Sequence, residues 1–146
     1  LPGNNQIQVK SIKLNPEDDS VDYFRRDQAL KFEFEFKVLE DKLPLNLSLH
    51  VFSISGECIM NVFSQIPVPE LPFGDHSSYA IIPANLLNEG FYTISLMFVK
   101  NTSQVIFCME DILSFGLVET NRPKMNWHGK IPGFIHPKVD FRILNV

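Results

Sequence analysis

Residues 30–39 read LKFEFEFKVL, and this stretch constrains the fold more than any other. Leu30, Phe32, Phe34, Phe36 and Val38 alternate with Lys31, Glu33, Glu35 and Lys37. A period of two puts successive side chains on opposite faces of an extended strand, whereas a helix would scatter the same apolar residues around its circumference. The segment therefore reads as a strand with one face in a core and a charged face in water. Glu33 and Glu35 are the kind of carboxylate pair that acid–base chemistry uses, but lysines flank them on a solvated face, so they read as surface charge. The alternation recurs. Leu45, Leu47, Leu49 and Val51 oppose Asn46, Ser48, His50 and Phe52, while Tyr92, Ile94, Leu96 and Phe98 oppose Phe91, Thr93, Ser95 and Met97. Further strands are expected at 6–14, with a bulge near Ser11–Ile12 where the pattern changes phase, and at 57–64, 78–84, 104–110 and 111–119. Ser55–Gly56 makes 45–56 and 57–64 a hairpin. Residues 15–28 and 65–77 read as loops, and 85–90 as one helical turn at most. About eight strands with no helix-length crossover predict an all-β fold of antiparallel sheets, a sandwich or a barrel.

The chain of 146 residues is expected to form a single domain over 6–146, preceded by a linker remnant at 1–5, LPGNN, and so to be cut from a longer protein. Hydrophobic residues make up 45% of it, which excludes wholesale disorder. A net charge of −4 with thirteen scattered basic residues excludes a nucleic-acid footprint and an anionic membrane surface. No apolar run approaches the roughly 20 residues that span a bilayer, so no direct membrane insertion is expected. Cys58 and Cys108 read as small buried hydrophobes of a reducing compartment, with a disulfide as the alternative.

Nothing in the sequence is laid out for chemistry. It has no phosphate loop, no Gly-x-Ser-x-Gly elbow and no Cys-x-x-Cys pair, and the histidines at 50, 76, 128 and 136 fit no zinc spacing. No catalytic residue, metal or cofactor is expected. What stands out is a contrast between faces. The outer face of 30–39 is charged, but Asn46, Ser48, His50, Phe52, Thr93, Ser95 and Met97 make a neutral one of hydroxyls, an amide, an imidazole, a phenyl ring and a thioether. Such a face suits a sugar, with Phe52 as the platform for ring C–H groups and His50 and Ser95 as hydrogen-bonding partners. It also suits a face covered by the C-terminal tail or a second subunit, and both readings stay open. The tail, WHGKIPGFIHPKVDF at 127–141, holds Pro132 and Pro137, which exclude a central strand. It reads as part of a Pro/Gly-rich clasp over 120–146, with Trp127, Phe134 and Ile135 as anchors and Trp127 and His128 as secondary candidates at a pocket rim.

Four segments in order resemble one family. They are the hairpin HVFSISGECIMNVFS; the element around Leu86 or Leu87, Gly90, Tyr92, Ile94 and Leu96; a strand with Asp111, Ser114, Phe115 and Val118; and a closing Gly133, Ile135, Pro137 motif. Together, across roughly residues 6–141, they are similar to the C-terminal carbohydrate-binding domain of the ATPase subunits that export O-antigen and related polysaccharides. The chain departs from that pattern at Phe141, where the family often has Trp, and at Gly116–Leu117, which interrupts the strand motif. The resemblance implies an immunoglobulin-like β-sandwich without catalytic activity of its own, following an ATPase domain. It implies an O-antigen-like polysaccharide as ligand, a homodimer, the transmembrane permease of an ABC exporter as partner through the full-length chain, and a cytoplasmic location at the inner membrane. Sugar-contacting residues in the family vary with the glycan, so only framework residues carry over. The alternatives are a protein-interaction or dimerisation sandwich and a secreted accessory or adhesin-type domain.

Overall fold

A computed structural model describes residues 2–15, 23–120, 132–136 and 139–144. Nine strands, and no helix, are found among them: β1 (Ile7–Asn15), β2 (Tyr23–Arg25), β3 (Leu30–Val38), β4 (Leu43–Ser53), β5 (Cys58–Phe63), β6 (Glu70–Leu71), β7 (Gly74–Ile82), β8 (Gly90–Lys100) and β9 (Gln104–Val118). Strands β1-β3-β7 form one sheet and β2-β9-β8-β4-β5 the other, with β6 paired to the start of β4. Every pairing is antiparallel except β2 with β9, which is parallel. The chain is an all-β sandwich, one of the two architectures its alternation allowed.

The inner faces are the apolar halves of the alternating strands. Leu30, Phe32, Phe34, Phe36 and Val38 are each at most 2% exposed, and they meet Tyr92, Ile94, Leu96, Phe98 and Phe115 from the larger sheet. Aromatic rings tie the sheets together. Phe32 lies 5.6 Å from Phe115 and Phe36 lies 5.2 Å edge-on to Phe98, while Tyr92 stacks on Phe115. Full burial of such a side chain contributes about 1.5–3 kcal/mol, so this seam is the main source of cohesion.

Several boundaries differ from expectation, each for a local reason. The bulge in β1 lies between Val9 and Ser11, just ahead of the expected position, and it returns Ile12 and Leu14 to the core side. Strand β7 starts at Gly74 rather than at residue 78, because its alternation runs through small polar residues that carry no propensity signal. The two segments at 104–110 and 111–119 are one strand, broken in register but not in direction. The polar stretch at 15–28 hides β2, whose single buried apolar residue is Phe24. No helical turn forms at 85–90.

Both cysteines are free and exposed, which corrects the expectation of burial. Cys58 sits opposite Phe52 on β5, and Cys108 opposite Met97 on β9, with β4 and β8 between them. Three strand spacings of ~4.8 Å, with a further offset of four residues along β8, put them well over ~14 Å apart, more than twice the reach of a disulfide. Partial desolvation of the sulfur by its neighbours, with Glu110 adding its negative charge, raises the Cys108 thiol above its ordinary pKa. Both thiols should therefore react with a chromogenic disulfide reagent in the native protein. The Cys108 rate should still be climbing with pH above the usual thiol range; a rate that levels off below it would contradict that environment.

Candidate functional site

The outer face of the larger sheet carries an open groove of about 580 Å³. Phe52, Ser53, Ile54 and Gly56 line it from β4 and the hairpin turn, Phe91, Thr93, Ser95 and Met97 from β8, and Cys108, Glu110 and Asp111 from β9. The register explains the set. Phe52 pairs with Thr93, and Met97 with Cys108, so one face of three strands converges. Gly56 takes a φ of 89°, which lets the β4–β5 turn close tightly at one end of the groove.

The acidic side of the groove is made by a wide bulge. Ile94 pairs with Leu113 and Leu96 with Met109, so Glu110, Asp111 and Ile112 all lie opposite Ser95. Asp111 adopts a φ of 50°, a left-handed conformation that Asp tolerates better than most residues. Its backbone N–H donates to the Ser95 hydroxyl at 3.1 Å. Ser95 is only 4% exposed, so it holds the bulge from beneath. At the other end, Tyr23 lies across Gly116, where a Cβ would collide with its ring, and edge-on to Phe91 at 6.3 Å. An exposed aromatic thus reaches this face from the short parallel strand β2.

Of the residues singled out in the sequence, Phe52, Thr93, Ser95 and Met97 line the groove together. His50 lies beside it, its ring 6.2 Å from that of Phe52. The Ser48 hydroxyl donates to Asn61 Oδ1 at 2.8 Å, so His50 Nε2, 3.1 Å away, donates to Ser48. His50, Ser48 and Asn61 therefore form a fixed polar chain. Ser48 and Asn46 are 8% and 7% exposed, and the Asn46 Oδ1 has no hydrogen-bond partner among the described residues. Trp127 and His128 lie outside the described residues. Glu110, Asp111, Phe91 and Tyr23 belong to the same face, although none of them was among the binding candidates read from the sequence. The bulge that turns the two acids inward is the one feature no periodicity reports, since it breaks the period.

The described part of the C-terminal segment, 132–136, pairs with the residues that lead into β8. Ile135 bridges Leu87; Asn88 N–H donates to Phe134 O at 2.8 Å, its side-chain amide to Gly133 O at 3.0 Å, and His136 N–H to Leu86 O at 2.9 Å. The Phe134 and Ile135 side chains stay 36% and 54% exposed, so backbone hydrogen bonds rather than apolar burial hold this contact. Among the described residues no three His, Cys, Asp or Glu side chains are grouped to hold a metal ion.

No family model matches this sequence, and no curated protein matches it. The fold does have relatives among solved structures. A Niemann-Pick type C2 protein from Japanese carpenter ant aligns with a TM-score of 0.50 and 12% identity, over 79% of this chain and 93% of that one. The C-terminal domain of Wzt aligns with a TM-score of 0.77 and 13% identity, covering 97% of this chain and 86% of that one. Over 97% of its length, this chain has the β-sandwich fold of the C-terminal domain of Wzt.

Proposed function

We propose that this chain is a non-catalytic glycan-binding module that recognises a lipid-linked O-antigen or related polysaccharide for export by an ABC transporter. The observation that carries this reading is the groove: aromatic and thioether surface from Phe52, Phe91 and Met97 beside the hydroxyl of Thr93 and the carboxylates of Glu110 and Asp111. A sugar ring presents the same two chemistries, an apolar C–H face and a rim of hydroxyls. The four ordered motifs that resemble exporter carbohydrate-binding domains, and the fold shared with the C-terminal domain of Wzt, support the same reading. In that setting the module works as a homodimer, behind an ATPase domain of the full-length chain, at the cytoplasmic side of the inner membrane with its permease. Shift mapping by NMR during titration with the polysaccharide of the native host tests the proposal. Shifts should cluster at Phe52, Thr93 and Met97, and Phe52→Ala should weaken binding about tenfold, in line with about 1.4 kcal/mol for a lost ring contact. Shifts on the β1-β3-β7 sheet instead would remove this groove from consideration.

A second reading has its own observation. Ile54, Phe63 and Ile66, around the same hairpin, are 80%, 61% and 66% exposed, which suits a protein-interaction or dimerisation surface. Sedimentation of Phe52→Asp separates the two: a dimer lost with glycan binding intact favours the second.

A further inference from the structure

The groove is uneven in charge. Glu110 and Asp111 are its charged residues, and no Lys or Arg is among the described residues that line it. Glu57, next to Gly56 in the hairpin turn, is a third exposed carboxylate at the hairpin end of the groove, where it accepts a hydrogen bond from the Ser55 hydroxyl at 3.3 Å. The backbone that carries Asp111 is held in place, since its N–H is bound to buried Ser95 within the bulge. The remaining surface is mostly apolar: Phe52, Ile54, Phe91 and Met97.

These two properties select among sugars. A carboxylate has acceptor sites only, so it takes hydrogen bonds from vicinal hydroxyls and gives nothing back to an acid group. A ligand carboxylate placed within ~6 Å of Glu110 and Asp111 is repelled by each of them in proportion to inverse distance. The apolar part has no partner for a primary hydroxyl and would leave it short of hydrogen bonds, but it takes a methyl group without loss. We infer that the groove discriminates by charge and polarity at the sugar's C6 position: it accepts non-anionic hexoses, prefers 6-deoxyhexoses to their 6-hydroxy parents, and rejects uronic acids. This inference rests on the glycan reading of the groove.

The test uses methyl glycosides in the gluco, galacto and manno series, each in 6-deoxy, 6-hydroxy and 6-carboxylate form, with the 13C-labelled methyl of Met97 as the probe. Wherever a series binds, the uronate should be about tenfold weaker than the 6-deoxy sugar at low salt, and the parent hexose should fall between them. At 1 M salt, where the screening length drops to about 3 Å, the uronate gap should shrink to about threefold or less. Glu110→Gln and Asp111→Asn should narrow it at low salt as well; both positions are exposed, and Asn tolerates the left-handed φ as Asp does. A uronate that binds as tightly as its parent overturns the inference and leaves the glycan reading standing. A gap that ignores salt and both substitutions overturns the charge mechanism. No movement of Met97 with any of the nine sugars sinks the glycan reading and this inference together, as does a lysine-rich peptide that moves Met97 where no sugar does.

Discussion

Replacing Arg26 with Met is expected to cost this fold about 3–5 kcal/mol, the loss typical of breaking a buried ion pair from one side. Arg26 is only 6% exposed, although the sequence around it reads as a polar loop. Its guanidinium pairs with Glu119 Oε2 at 2.8 Å and donates to the Leu87 carbonyl at 3.2 Å, to Asn85 Oδ1 at 3.3 Å and to the Asn85 carbonyl at 3.1 Å. One side chain thus joins the β2 segment, the turn before β8 and the end of β9. Close by, the Tyr92 hydroxyl donates to Asn88 O at 2.7 Å, and burial raises its pKa despite the pull of Arg26. Methionine would fill the space but leave the carbonyls and the carboxylate without this donor. A urea titration should show the midpoint falling by about 2 M, taking a slope of 1–3 kcal/mol per M. The double substitution Arg26→Met with Glu119→Gln should recover part of the loss, because the carboxylate is then no longer held as a buried charge. A midpoint that moves by less than about 0.5 M would mean that water reaches this site and screens it.

Phe115→Ala is expected to have a loss of comparable size, about 3–5 kcal/mol, by a different route. Phe115 is 0% exposed, and its ring centroid stands 5.6 Å from both Phe32 and Tyr92. It is where the two sheets meet through rings, so truncation removes contacts from both sheets and opens a void between layers that strand pairing keeps from collapsing. Thermal unfolding followed by near-ultraviolet circular dichroism should show the midpoint falling by about 6–20 °C, given about 2–4 °C per kcal/mol in a larger domain. Phe115→Leu, which refills most of the space, should lose less. Equal losses for Ala and Leu would point to ring geometry rather than volume as the source of stability.

The groove is expected to behave differently, since Phe52 and Asp111 are tested by ligand rather than by melting. That division follows from where alternation holds and where it fails. Along β3, β4 and β8 the period of two is unbroken, so inward and outward residues could be told apart from letters alone, and Phe52, Thr93, Ser95 and Met97 were legible as one face. Burial within that face was not legible. Asn46 and Ser48 share it by register, yet they are closed off from solvent, and Ser95 supports the bulge from below rather than presenting its side chain fully. Glu110 and Asp111 look like ordinary strand-end acids in the sequence. They become part of the groove through three residues opposing one, a mismatch between two strands that neither strand encodes by itself.

By itself, the sequence determined the class of fold, its antiparallel sheets, the apolar faces that build the core and which residues share the neutral outer face. The antiparallel pairing follows from connections too short for a helical crossover; the rest follows from the two-residue period, a local property that fixes which side of a strand each residue occupies whatever its neighbours are. Only the tertiary structure decided which strands lie side by side, and with that the separation of Cys58 from Cys108, the burial of Arg26 against Glu119, the parallel docking of Tyr23–Arg25 and the charge of the groove. Each of these depends on residues far apart in the chain meeting in space. Their energies come from desolvation and contact between partners, which no single stretch of sequence contains.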